Sequence, residues 1–238
     1  MSKYFYTSDE MESVFRSQDL QYPSKYSLDE LVKRMRELNH IDTEVQKNQS
    51  IAVVGNSGKL LSQEQGEFID SHDYVFRCNL AETEGFERNV GTKTDFRFIG
   101  GKSFWRDLTG QFSGYKDNFL TNLKNQNFVI VADPLYAAIQ GIIKNYNTKS
   151  RVLYIRQDFI EAAENKIRIT HPTLGLTAIL MALEWSKDIS IFGFTFFQEG
   201  WTEQHYFESI TPYQRGHKPL LEKEYVDFLE KEDLIKIY

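Results

Sequence analysis

Ile51-Ala52-Val53-Val54 is a short apolar run cut off by Gly55-Asn56-Ser57-Gly58, and this junction constrains the fold more than any other feature of the chain. An apolar run without alternation suits a strand buried on both faces, as in the middle of a parallel sheet. Its abrupt end in a Gly/Asn/Ser/Gly loop predicts a tight turn with a helix to follow. Ser62 with Gln65 reads as a capping pair for that helix, Phe68 and Ile69 supply its apolar side, and Tyr74-Val75-Phe76 reads as the next strand, which completes a βαβ unit. Further strand-like runs at 96–99, 128–132, 152–155 and 189–192 are separated by enough chain for crossover connections. The fold class that follows is α/β, a single domain with a mainly parallel sheet flanked by helices.

The flanking segments fit that frame. Residues 1–49 read as a helical packing segment of the same domain as 50–238: Leu28, Leu31, Val32, Met35 and Leu38 lie on one helical face, Ser27 can cap it, and Glu30 closes the capping box. Tyr4, Phe5 and Tyr6 are expected to pack on the domain rather than to anchor it at a membrane surface. Leu176, Ile179, Leu180 and Leu183 share a face of a helix ahead of 189–192, with Pro172 as a first-turn proline and Thr173 as its cap. A polar, aromatic stretch at 194–216 is long enough to be a functional loop, and a charged helix follows at 219–232.

Composition excludes several classes of partner. With 41% apolar and 14% aromatic residues among 238, the chain can bury one sizeable core. The 28 basic residues are scattered among 34 acidic ones for a net charge of -6, so there is no basic stripe for a nucleic-acid polymer, although local geometry can still hold a small anion. No run of about 18 apolar residues occurs, and 1–18 is polar, so no integral membrane segment or secretory leader is expected in this chain. Cys78 is the single cysteine, which rules out an intramolecular disulfide and a Cys-ligated metal and favours a reducing, cytoplasmic setting, with a host secretory pathway open if a longer precursor or a viral context applies.

The loop at 55–58 can cradle an anion, because glycine lets backbone N–H groups approach a phosphate while Asn56 and Ser57 add polar side chains. It lacks the Gly-x-Gly-x-x-Gly of dinucleotide sites and the lysine of a P-loop, which argues against redox cofactors and ATP. Beyond it, Gly66, Ile69-Asp70, Asp73, Val75, Arg77, Asn79, Gly85-Phe86, Val90-Gly91 and Lys93-Thr94 extend the segment into one that closely resembles the large sialylmotif of glycosyltransferase family 29. His171-Pro172-Thr173-Leu174-Gly175-Leu176 with 191–194 resembles that family's small motif, His205-Tyr206-Phe207 its third, and His217 with Glu222 five positions on its last.

The resemblance implies a Rossmann-like variant of the GT-A glycosyltransferase fold, CMP-sialic acid as donor, an acceptor glycan, inversion at the transferred carbon, and no metal or other cofactor. No Asp-x-Asp occurs to hold a divalent ion, in keeping with that implication. By motif position, Asn56, Ser57 and Asn79 would meet the nucleotide and its phosphate, Thr173 and Gly175 would lie beside the nucleotide, His205 would contact the phosphate, and His217 would be the base. Glu222 either orients His217 or caps nearby backbone; Arg77 reads as a fold-tying arginine paired with Asp70 or Asp95; His40 and His72 read as structural, and His171 borders the site at most. Secreted animal members join their two main motifs by a disulfide, whereas Ile51 and Ser186 stand at those positions here. Glu82 and Phe207 also depart from the family pattern, and they bear on acceptor contacts. Two other readings stand beside this one: a transferase using CMP-Kdo, and a CMP-sugar-binding module without catalysis.

Overall fold

A computed structural model describes residues 4–17, 27–38, 49–100, 126–131, 151–196, 205–207 and 217–238. The expectations for His40, for the end of the 128–132 strand and for 197–204 and 208–216 fall outside these residues. Seven strands form one sheet in the order β5-β4-β3-β2-β1-β6-β7: β1 Ile51–Val54, β2 Tyr74–Cys78, β3 Phe96–Gly100, β4 Asn127–Val131, β5 Arg151–Tyr154, β6 Ile189–Phe192 and β7 Lys236–Ile237. The described helices are α1 Ser8–Ser17, α2 Leu28–Leu38, α3 Gly66–Asp70, α4 Glu87–Val90, α5 Gln157–Ile167, α6 Leu174–Trp185 and α7 Pro219–Lys231.

The α/β class with a parallel sheet is what the apolar runs foretell. β1 pairs in parallel with β2 on one side and β6 on the other, and β4 with β5 and β6 with β7 pair in parallel too. All four β1 residues are 0% exposed, the burial that a continuous apolar strand requires. The chain leaves β1 towards β2 on one flank and returns as β6 on the other, so the carboxyl ends of β1 and β6 mark the topological switch point, the place where α/β sheets commonly bind ligands.

Contacts divide the chain into two compact units, 1–44 with 98–159 and 45–97 with 160–238. In the first, Phe5 is buried and bridges Ile155, while the Tyr6 N–H donates to the Tyr154 carbonyl at 2.9 Å, so the early aromatics do pack on folded chain. Thr7 with Glu10 and Ser27 with Glu30 form capping boxes at the starts of α1 and α2. Of the α2 stripe, Val32 and Met35 are buried. Arg36 bridges to Asp9 and Glu12 and Arg16 to Asp29, exposed pairs that orient the two helices more than they stabilise them.

In the second unit, α6 is buried nearly all round from Leu176 to Ala182, wider than the expected stripe, and packs on β1, β2 and β6. Phe76, Phe96 and Trp185 meet edge-to-face at 5.2–5.5 Å in the core. Three local expectations need correction. A 3₁₀ turn, Gly58–Ser62, follows the loop instead of a helix; the Ser62 hydroxyl donates to the Lys59 carbonyl, and Gln65 gives α3 no side-chain cap. Pro172 precedes the Thr173 cap and so lies outside the first turn of α6. Arg77, 0% exposed, makes no ion pair with Asp70 or Asp95: its Nε donates to the Lys93 carbonyl and Thr94 Oγ1 at 3.0 Å and its Nη2 to the Val90 carbonyl at 2.7 Å. Asp70 is engaged by the N–H groups of Thr92 and Lys93, and Asp95 by that of Val75. The fold-tying role of Arg77 stands, through carbonyls. β7 is too short for any sequence pattern to announce; the Tyr238 N–H extends it to the Ile191 carbonyl at 3.0 Å, and the Tyr238 ring stacks on Phe192.

The loop glycine at 55 has a steric cause. Its N–H donates to the Phe192 carbonyl at 2.7 Å, and a Cβ there would overlap the Gly193 carbonyl oxygen. Both obstacles are backbone, which yields less than a side chain does. Gly55→Ala is therefore expected to cost about 1–3 kcal/mol in denaturant unfolding by forcing β1 and β6 apart; a loss below about 0.5 kcal/mol would contradict this account.

Candidate active site

The first group of site residues gathers at the carboxyl ends of β1 and β2. The Gly55 and Ser57 N–H groups are committed to the Phe192 and Gly193 carbonyls, so the anion cradle read from the sequence must draw on other donors. Ser57 is 7% exposed and its Oγ accepts the Lys59 N–H at 3.2 Å, capping the 3₁₀ turn. The Asn56 Nδ2 donates to the Cys78 carbonyl at 3.3 Å, which joins the β1 loop to the end of β2. Asn79 follows with φ +52, a left-handed conformation that asparagine tolerates better than most residues. The Oδ1 atoms of Asn56 and Asn79 are both buried and accept no hydrogen bond from the protein.

The third motif is docked on this group by Tyr206, for which the sequence suggested no role. Its N–H donates to the Asn56 carbonyl at 2.9 Å, its hydroxyl donates to the Glu82 carbonyl, and its ring meets Phe86 edge-on at 5.1 Å. Burial pushes the Tyr206 phenol up to about 12, so it stays a donor. His205 is thereby fixed next to the Asn56 loop, with its ring stacked on Phe207 at 5.2 Å.

The second group forms at the start of α6. Thr173 is the cap: its Oγ1 accepts the Leu176 N–H at 3.2 Å. Glu222, 1% exposed on α7, holds that residue from outside, accepting the Thr173 N–H at 2.9 Å and its hydroxyl at 2.6 Å. His217 binds the same segment, its Nδ1 lying 3.0 Å from the His171 carbonyl. Glu222 thus caps the backbone beside His217; of the two roles open to it, the hydrogen bonds realise this one. His171 contributes its carbonyl, while its ring is exposed and lies 4.0 Å from Glu164. His72 is structural as expected: it is buried, with Nδ1 at 3.0 Å from the Phe68 carbonyl.

One turn ties the groups together. Gly193 takes the Ser57 N–H, while the next residue, Phe194, lays its ring on Gly175, where a Cβ would meet Cε1 at 2.6 Å. Gly175 is glycine because that ring is there. Where the family's disulfide would join Ile51 and Ser186, the Ser186 hydroxyl donates to the Gln49 carbonyl at 2.6 Å, a polar link between the same two segments.

Fold and local geometry together define an α/β protein whose motif residues cluster at the carboxyl ends of β1 and β2 and at the start of α6. The chain belongs to glycosyltransferase family 29 (sialyltransferase), whose profile matches residues 3–234. It is 33% identical over 168 residues to the CMP-N-acetylneuraminate-beta-galactosamide-alpha-2,3-sialyltransferase 1 of Sus scrofa, covering 66% of this chain and 47% of that one. It is likewise 33% identical over 196 residues to sialyltransferase-like protein 1 of Arabidopsis thaliana, covering 79% and 35%. The chain spans at most about half the length of these curated relatives. A mammalian sialyltransferase crystal structure has the same fold, with a TM-score of 0.72 at 20% identity over 100% of this chain and 90% of that one.

The Glu222 carboxyl has opposing influences: burial, the largest, raises its pKa above the ordinary 4.5, while the Thr173 hydrogen bonds and His217 lower it, and burial wins. The folded state therefore holds this proton more tightly than the unfolded chain does. Its contribution to stability is full below about pH 4.5 and declines as pH rises through the raised folded-state value. Glu222→Gln should gain on wild type in unfolding free energy across that window. Glu222→Ala, which strands the Thr173 N–H, should be about 1–3 kcal/mol less stable than Glu222→Gln. A difference between wild type and Glu222→Gln that is flat in pH, or of opposite sign, would contradict the first expectation.

Proposed function

We propose that this protein transfers sialic acid from CMP-sialic acid to an acceptor glycan, with inversion and without a metal ion, His217 acting as base and His205 on the leaving phosphate. Family membership supports the donor class, and a neighbouring fold, a mammalian sialyltransferase, is known in complex with Gal-beta-1-3GalNAc-ortho-nitrophenol. The observation that carries the assignment of the base is the His217–His171 hydrogen bond. A carbonyl only accepts, so Nδ1 holds the ring proton and Nε2 holds the lone pair, the tautomer that a general base needs.

The chemistry divides between the two groups of residues. An acceptor hydroxyl attacks the anomeric carbon on the face opposite CMP, and its proton goes to His217 Nε2 as the new C–O bond forms. The old bond breaks with its electron pair passing to the phosphate of CMP, where an N–H of the His205 imidazole offsets the growing charge. The start of α6 adds a partial positive charge, because Thr173 and Glu222 engage only some of its amides. The two buried asparagine oxygens suit hydroxyl and amino donors of the nucleoside. The buried lone thiol and the Ser186–Gln49 hydrogen bond support a reducing compartment.

Metal independence rests on the absence of Asp-x-Asp in the sequence and on a monophosphate leaving group, which a helix terminus and a histidine can neutralise. Transfer is expected to persist in excess EDTA; loss of most activity, restored by one divalent ion, would sink that part of the mechanism.

The two histidines should separate kinetically. His217→Ala is expected to lower transfer by roughly 10²–10⁴-fold with CMP affinity nearly intact, and to slow donor hydrolysis less, because water is easier to position. His205→Ala should slow transfer and hydrolysis together. Transfer by His217→Ala at near wild-type rate, or equal proportional losses in both reactions for both variants, would overturn the assignment.

A further inference from the structure

We infer that Arg97 is a positioning residue for Asn79 and through it sets the affinity for the nucleotide half of the donor; the inference rests on the donor reading above. Arg97 lies on β3 at 1% exposure, where a guanidinium is costly unless its donors are satisfied. Its Nη1 donates to two carbonyls at once, those of Asn79 at 2.8 Å and Ala81 at 3.0 Å. These carbonyls belong to the bend that ends β2. Hydrogen bonds from a charged donor are stronger and more orienting than neutral ones, so this one nitrogen fixes two peptide planes of the bend.

Asn79 needs such a hold. At φ +52 it sits in a sparsely populated region that persists only where the surroundings determine it, and the direction of its side chain follows from that backbone. The amide oxygen so placed is buried and takes no hydrogen bond from the protein. Across the same bend the Asn56 oxygen is in the same condition, while its Nδ2 grips the Cys78 carbonyl. The bend is thus clamped from below by Arg97 and from the side by Asn56, and what the two clamps leave is a pair of buried acceptors. A ligand that satisfies them must bring donors, as a ribose and a cytosine amino group do. At 1% exposure Arg97 is enclosed by the protein, and it acts by holding Asn79.

The test is a double-mutant cycle read by calorimetry with CMP on the full chain. Methionine approximates the length of the arginine stem and donates nothing, whereas lysine carries several donors on one nitrogen, as Nη1 uses here. Arg97→Met should weaken CMP binding by about 10-fold and Arg97→Lys by no more than about threefold. Asn79→Gly keeps the left-handed backbone accessible and deletes the amide; in that background Arg97→Met should cause no further loss, since its route is gone. If Arg97→Met lacks a cooperative melt, Arg97→Gln replaces it under the same criteria. A folded variant with wild-type affinity, or losses that multiply in the double variant, would overturn the proposal. Wild-type protein with no affinity for CMP would overturn the donor reading itself and this proposal with it, an outcome distinct from wild-type binding that ignores Arg97.

Discussion

The close approach of β1 to β6 at their carboxyl ends is the constraint on which the rest of the site depends. The Gly55 N–H to Phe192 carbonyl bond extends the parallel ladder one residue past the strand, with Gly55 and Gly193 backbone to backbone. Because that contact is made of main chain, it leaves the β1 loop little freedom. Asn56 is turned towards the end of β2, Ser57 caps a 3₁₀ turn, and the Asn56 carbonyl faces the Tyr206 N–H. On the other side, Phe194 lies on the first turn of α6, where a Cβ at Gly175 would displace its ring. The β1 loop, the third motif and the helix start are thus set by one turn.

Charge is handled below the surface by groups that hold backbone. Arg77 and Arg97 are both buried cations that donate to carbonyls, and Glu222 is a buried carboxylate that accepts from a helix cap. Burying such groups is expensive, and burial alone shifts Arg77 down and Glu222 up. Their retention fits specificity better than stability, because each pins irregular backbone at a place where the chain departs from regular structure. The link at Ser186 follows the same logic with less energy. A hydrogen bond contributes about 0.5–1.5 kcal/mol where a disulfide contributes about 2–4. The two main motifs are therefore held together chiefly by the parallel pairing of β1 with β6 and by the packing of α6 on β1 and β2.

β1 was legible in the sequence as an uninterrupted apolar run, and β2 to β6 as mainly apolar ones, whereas the two-residue β7 left no such signal. Periodicity also located α2 and α6, and polar residue types flagged their caps. What could not be read was side-chain reach across the fold. Ser62 and Gln65 look like a capping pair, but the 3₁₀ turn uses Ser62 to close itself. Arg77 has two carboxylates near in sequence, and both are already satisfied by backbone N–H groups, so it turned to carbonyls. The motifs singled out the candidate asparagines and histidines; Tyr206 and Arg97 were not assigned, since their partners are main-chain atoms that no residue pattern records.

The segment 171–173 does three things at once, and this concentrates the fastening of α7 to α6. His171 has φ +55, the bend that precedes the cap, and its carbonyl receives Nδ1 of His217. Two residues on, Thr173 caps α6 and is held in turn by Glu222. His217 and Glu222 come from one short stretch of chain, at the entry to α7 and in its first turn, so α7 is fastened to α6 at two points of the same bend. The base role proposed for His217 would gain from this fastening, because effective concentration falls steeply with small errors in placement. Asn56 and Asn79 are anchored to sheet ends and His217 to a helix start, and both lie on the edge where a parallel sheet collects its strand ends and crossover helices begin. The inverting displacement proposed above would need two such anchors, one on each face of the reacting carbon, and the topology supplies separate elements for them.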